Sequence, residues 1–231
     1  MKFSLETLKL LKNFTSISDV LYLNNEKGVV VLSPTGSFLG CAETEEDLDK
    51  GNCVFYNWST FLSTIQAFGN EEAELEFKED ENHVLIKNQT GGKLKYFYTN
   101  PRLVAKDYKK PKEFEDYQID FEHDAKIELT QQIWNELKKS SSIMSLDKLT
   151  ITVEENKANV VLSNSEGVNS SEHEQEIEAF SGTGEISINF STLNIIPGDY
   201  EILIKNNKAV KIINKDIPVF YVLGRMKGNT K

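Results

Sequence analysis

Cysteine, histidine and long apolar runs are scarce in this chain. It has 2 cysteines, 3 histidines and 2 tryptophans among 231 residues. Cys41 and Cys53 lack the close pairing of a zinc site and read as reduced thiols of a reducing compartment. His83, His123 and His173 have no Cys, Asp or Glu partner at metal-ligand spacing, so each reads as a surface histidine. Glu172, Glu174, Glu176 and Glu178 surround His173 as a solvated acidic loop would. The run Ser181-Gly182-Thr183-Gly184 is too short to cradle a phosphate, and no strand-loop-helix context supports it. No serine or cysteine stands in a nucleophile elbow. The residues therefore point to no catalysis, no metal and no cofactor.

A membrane span is excluded in the same way. No apolar run approaches the roughly 20 residues that a bilayer-crossing helix needs. Lys9 and Lys12 interrupt the first leucines, so the start does not read as a secretory signal. The expected location is the cytoplasm.

What is present is apolar and acidic. Hydrophobic residues make up 39% and aromatics 10%, enough for real cores. The net charge of −10 argues against a general nucleic-acid coat, yet leaves room for a local basic surface. The length suits one large or two ordinary domains.

Ser4–Phe14 reads as a short amphipathic helix, with Thr7, Leu8, Leu10, Leu11 and Phe14 on one side and Lys9, Lys12 and Asn13 on the other. Ser4 is its expected N-cap. Val20–Leu23 and Val29–Leu32 flank a polar, Gly-containing connection and read as a hairpin. A strand at Ser37–Cys41 and an acidic loop at Glu43–Lys50 follow. Ser59–Phe68 is the second helix, with Phe61, Leu62, Ile65 and Phe68 as its apolar side. Leu75–Phe77 and Val84–Ile86 form a second hairpin, and Lys93–Tyr98 alternates as a last strand.

The stretch from Pro101 to Tyr117 loses any period, and residues 105–117 read as a solvated interdomain connector. Expected domains are therefore 1–104 and 118–231. Leu129–Ser141 is the clearest helix, with Leu129, Ile133, Trp134 and Leu137 on one face and Gln131, Asn135, Lys138 and Lys139 on the other. Leu149–Val153 and Val160–Leu162 make a third hairpin, and Glu176–Phe180 an edge strand. Ile186–Phe190 alternates as a strand, and Ser191–Ile195 reads as about one helical turn. Pro197-Gly198-Asp199-Tyr200 is a turn, and Tyr200–Ile204 with Ala209–Ile213 a fourth hairpin. Val219–Leu223 is the final strand.

Helix followed by hairpin thus occurs four times, two per half. An α+β chain with its few helices on one face of antiparallel sheet fits that order. Lys9, Lys12, Lys138 and Lys139 would then point one way from an otherwise acidic protein. Lys126 and Lys148 flank the third helix and would add to that surface. One basic face on an acidic body is the footprint of contact with the nucleic-acid backbone.

Met1–Leu23 resembles the start of the T-even-type bacteriophage sliding clamp, the DNA polymerase processivity factor. Leu10-Leu11-Lys12-Asn13-Phe14 is its most specific piece. Leu129–Leu137, and Pro197-Gly198-Asp199-Tyr200 running into Glu201–Ile204, resemble the third helix and last hairpin of the same family. The resemblance implies a DNA-clamp fold related to proliferating cell nuclear antigen, closed into a homotrimeric ring around duplex DNA. It implies binding without sequence specificity, a DNA polymerase and an ATP-dependent clamp loader as partners, and no chemistry of its own. Subunits would join by strand edges, with Tyr96, Tyr98, Ile177 and Phe180 at the seam. Partner peptides would enter an apolar pocket near Tyr108, Phe114, Pro218, Val219 and Tyr221, unless Val219 and Tyr221 are strand core. The rival reading is a β-rich structural or protein-interaction module that does not bind DNA, since acidic charge and many sheet edges suit that equally.

Overall fold

Ser4 starts the first helix by accepting, through its side-chain oxygen, the backbone N–H of Thr7 at 3.1 Å. The helix, α1, runs Leu5–Phe14 and buries Thr7, Leu10, Leu11 and Phe14. A computed structural model of the chain describes all residues but 24–26, 51–52, 70–72, 100–103, 105–109, 113, 118–119, 155–156, 166–170 and 227–231. It divides into two units, Met1–Ile119 and Asp120–Lys231.

In the first unit α1 is followed by β1 (Val20–Leu23), β2 (Gly28–Leu32), β3 (Phe38–Glu43), β4 (Cys53–Tyr56), α2 (Trp58–Gly69), β5 (Glu74–Lys78), β6 (His83–Lys87) and β7 (Lys93–Phe97). β5 and β6 form the expected hairpin, and β7, the expected last strand, adds to β6 to complete an antiparallel meander. The first hairpin is paired differently from expectation. β1 pairs with β4, Val20 opposite Tyr56, while β2 pairs with β3, Gly28 opposite Glu43. β1 is buried along its whole length, so no alternation marks its partner, and β4 supplies one from 30 residues away.

The unit's core joins both helices to the strands. Trp58 is buried and its indole N–H donates to Ser18 O at 2.7 Å, fixing the start of α2 beside the entry to β1. Phe61 of α2 stacks on Phe55 of β4 with ring centres 4.1 Å apart. A Cβ at Gly40 would lie 2.6 Å from Ile17 Cδ1 and 2.9 Å from Phe14 Cε1, so the end of α1 rests directly on β3.

The second unit holds β8 (Ala125–Leu129), α3 (Gln131–Met144), β9 (Lys148–Glu154), β10 (Lys157–Ser163), β11 (His173–Gly182), β12 (Gly184–Asn189), β13 (Tyr200–Lys205), β14 (Ala209–Asn214) and β15 (Val219–Gly224). Its strands run β12-β9-β10-β11-β8-β13-β14-β15, each pair antiparallel. Period-2 burial is clear in β8, β9 and β10, with Ile127, Leu149, Ile151, Val160 and Leu162 facing in.

The expected fourth helix is absent. Ser191 and Thr192 form a turn, in which Asn189 Oδ1 accepts from Thr192 N at 3.3 Å and Phe190 O from Leu193 N at 3.1 Å. A segment of five residues ending two before a proline closes too few backbone bonds to pay for helix nucleation. The described α-helices are therefore three.

Candidate nucleic-acid interface

On α1, Lys9 and Lys12 are exposed, opposite the buried stripe. The helix is fastened by a residue that sequence reading places in the acidic loop Glu43–Lys50. Glu46 accepts from the backbone N–H of Ser4 and, at 2.5 Å, from the Thr7 hydroxyl. Burial would raise its pKa, but the hydrogen bonds from Thr7 and Ser4 outweigh it and hold the carboxyl below its ordinary value. An anion at a helix N-terminus also meets the positive end of the helix dipole. α2 has no Lys or Arg along its length.

α3 begins with two caps. Thr130 Oγ1 accepts from Ile133 N at 3.3 Å, and Asp199 Oδ1 accepts from Gln131 N at 2.8 Å. Trp134 then packs on Tyr200 with ring centres 5.3 Å apart, and edge-on to Phe190 at 5.0 Å. The helix and the Pro197–Tyr200 turn, distant in sequence, thus meet through Asp199 and Tyr200. The turn is fixed in its own right. Tyr200 donates its hydroxyl to Ile196 O, Ile196 N donates to Tyr221 Oη at 3.0 Å, and Asn214 Nδ2 donates to Ile196 O at 3.2 Å. Burial pushes both phenols above their ordinary pKa.

Lys138 does not lie with the outward residues of α3. It follows Trp134 by four positions and so shares its face, one turn on. Its ammonium donates to Phe190 O at 3.4 Å and to Leu193 O, and sits 4.8 Å from the centre of the Phe190 ring. Burial holds its pKa below the ordinary lysine value. Lys139 is exposed.

The two flanking lysines belong to strands. In β8, Ala125, Ile127 and Leu129 face the core with Tyr200, on the side that Trp134 covers. Lys126 alternates with them, points to the opposite face of the sheet and pairs with Glu201. Lys148 shares the polar face of β9 with Thr150 and Thr152, opposite Leu149. Lys126 is therefore not part of the helix-side surface that the sequence suggests.

The candidate pocket residues divide. Tyr108 lies outside the described residues. Phe114, in a short 3-10 turn at Phe114–Tyr117, is buried, and a Cβ on Gly28 would come within 2.8 Å of its ring. Val219 and Tyr221 are inward residues of β15 and are buried, the strand-core alternative. Pro218 is exposed. Of the seam residues, Tyr98 is buried with its hydroxyl 3.4 Å from Lys78 O, Tyr96 packs on Phe55 and Phe61, and Ile177 is half-buried. The Phe180 side chain lies outside what is described.

The histidines differ from their reading as surface residues in one case. His83 is buried at the start of β6, against Phe97. His123 is exposed, and His173 opens β11, sharing a 2.8 Å hydrogen bond with Ser140 of α3. Among the described residues no three His, Cys, Asp or Glu are grouped to hold a metal, and no helix is long and apolar enough to cross a membrane.

No family model matches the chain. It is 24% identical over 210 residues to the sliding clamp of Vibrio phage KVP40, covering 88% of this chain and 90% of the phage protein. Among solved structures, the PCNA2-PCNA3 complex of Sulfolobus tokodaii superposes with a TM-score of 0.63 over 97% of both chains, at 11% identity. The chain has the sliding-clamp fold. A DNA polymerase III β subunit from Eubacterium rectale matches with a TM-score of 0.67 and 11% identity over 96% of this chain. This chain spans 63% of that longer one. The sliding-clamp fold expected from Met1–Leu23, Leu129–Leu137 and the Pro197–Tyr200 turn is thus present along nearly the whole chain, and two of those three segments touch.

Proposed function

We propose that this protein is a ring-shaped sliding clamp that encircles duplex DNA and tethers a replicative DNA polymerase. The observation that carries the reading is the match of fold along 97% of a clamp chain of the same size, joined to likeness in sequence to a phage clamp over 88% of the chain. The ring reads as a homotrimer, loaded by an ATP-dependent clamp loader in the cytoplasm of a host cell. Its domains are 1–104 and 118–231, joined by the connector 105–117. It works without catalysis, because encirclement alone prevents escape.

The DNA-facing residues of this reading are Lys9, Lys12, Lys139 and Lys148, while Lys138 holds the Phe190–Leu193 turn of its own unit. Lysines that touch phosphates attract without reading sequence, which lets a ring slide. Head-to-tail contacts close a ring when their rotation is right, and closure removes exposed strand edges. The seam of this reading joins β7 to β11, near Tyr96 and Ile177. Partner tails are read as entering an apolar groove beside Pro218, an anchor-in-groove mode.

Solution mass tests the assembly. Light scattering over a concentration series is expected to give a species near three times the 26.2 kDa chain mass. A monomer at every concentration contradicts the ring.

A further inference from the structure

β7 has a free edge whose phase can be assigned. Asn88 N donates to Gly92 O at 3.1 Å and Tyr98 N to Asn82 O at 3.1 Å. Between those two bonds the antiparallel ladder alternates, so Leu94 and Tyr96 bond to β6. Lys93, Lys95 and Phe97 then turn their main-chain N–H and C=O groups to the other edge. Among the described residues no strand pairs there until Thr99, which donates to Val54 O at 2.8 Å. The side chains of Lys93, Lys95 and Phe97 are exposed, and Phe97 is 67% exposed, a large apolar group beside an open edge.

β11 has a matching stretch. Among the described residues His173–Glu178 pairs with β10 alone, and Ala179–Gly182 turns to β8. Glu174, Glu176 and Glu178 are exposed along one face, while Gln175 and Ile177 are half-buried on the other. One edge thus carries lysines at every second position and the other glutamates at every second position. In sheets, opposite charges directly across a pair stabilise and like charges destabilise.

We propose that Lys93 and Lys95 of one copy of this chain pair with Glu178 and Glu176 of the next, antiparallel, as the device that sets the direction and register of the seam. This rests on the head-to-tail assembly proposed above and gives it a specific alignment. In that register Leu94 faces Ile177 on the inner side, and Phe97 lies against Glu174. A slip of two residues one way puts Lys93 opposite Phe180, without a carboxylate. A slip the other way moves Leu94 from Ile177 to Gln175. Joining two copies of the same edge sets like charges opposite each other, so self-pairing of β7 with β7 or β11 with β11 is disfavoured.

The test is charge reversal with rescue, read as oligomer mass by light scattering over a concentration series at low salt. K93E is expected to raise the concentration at half-assembly about tenfold, since reversal replaces an attraction with a repulsion at each seam. Adding E178K to K93E is expected to restore assembly, and adding E174K is not. Because the reversed residues are exposed, far-UV circular dichroism should match wild type. If the double variant fails to fold, mixing K93E protein with E178K protein is expected to recover assembly in part, because the seams between unlike variants carry opposite charges while one seam of each mixed trimer does not; no recovery on mixing overturns the alignment. Unchanged assembly of K93E, no rescue by E178K, or equal rescue by E174K overturns the alignment and leaves the clamp reading standing. A wild-type chain that is monomeric throughout overturns both.

Discussion

Lys138 Nζ lies 3.4 Å from the carbonyl oxygen of Phe190 and 4.8 Å from the centre of its ring. The contact ties α3 to the turn that stands where a fourth helix was expected. It also separates two adjacent lysines by role. Lys138→Glu would place a carboxylate against two carbonyl oxygens in a half-buried site. We expect a loss of about 2–4 kcal/mol of stability, seen as a lower Tm. Lys139→Glu should leave Tm unchanged and weaken DNA retention. Equal Tm values for the two variants would contradict this division.

Glu46 gives a pH signature. Its folded-state pKa is depressed, with hydrogen bonds from Thr7 and Ser4 overcoming the effect of burial. Its contribution is therefore fully present above the ordinary glutamate value of about 4.3 and is lost as pH falls through the lower folded value. Glu46→Gln should cost about 1 kcal/mol at pH 7, the usual net worth of a hydrogen bond, as the amide keeps an acceptor but loses the charge. The gap between wild type and variant should close in acid, as denaturant titrations at pH 7 and pH 3 would show. A gap that widens in acid would contradict the assignment.

Asp199 caps α3 from the Pro197–Tyr200 turn, with its Oδ1 2.8 Å from Gln131 N. Asp199→Ala should destabilise by about 1 kcal/mol. It should also alter the Trp134 environment, because Tyr200 follows Asp199 directly and packs on that indole. Tryptophan fluorescence of the folded variant reads this. An unchanged spectrum with unchanged stability would mean that the turn is held by Tyr200 and Asn214 without the cap.

Much of the fold is legible in the residues because it is local. α1, α2 and α3 follow their apolar period, and Ser4 caps α1 as expected. The β5–β6, β9–β10 and β13–β14 hairpins are marked by polar turns between apolar arms. What is not legible is long-range. β4, four residues between Gly51-Asn52 and Asn57, is too short to announce itself, and with it goes the true partner of β1. Glu46 and Asp199 look like loop acids until folding brings each to a helix N-terminus.

The candidate surface was half legible for a related reason. Lys9, Lys12 and Lys139 are exposed on helices, as a helical wheel suggests. Lys126 is on a strand, where neighbours alternate faces, and it turns away from the side that α3 covers. Lys138 has a stem long enough to fold back onto the carbonyl oxygens of Phe190 and Leu193, which no charge pattern reveals.

Retention on DNA tests the central claim most directly. A linear duplex is tethered at one end, the protein is allowed to thread over the free end, and that end is then capped with a bulky block. If the protein encircles DNA, it stays through a wash in about 1 M salt, where exposed charges are screened within about 3 Å, and leaves when the duplex is cut. Loss in the salt wash from capped DNA, with no further release on cutting, would show surface binding and contradict the ring.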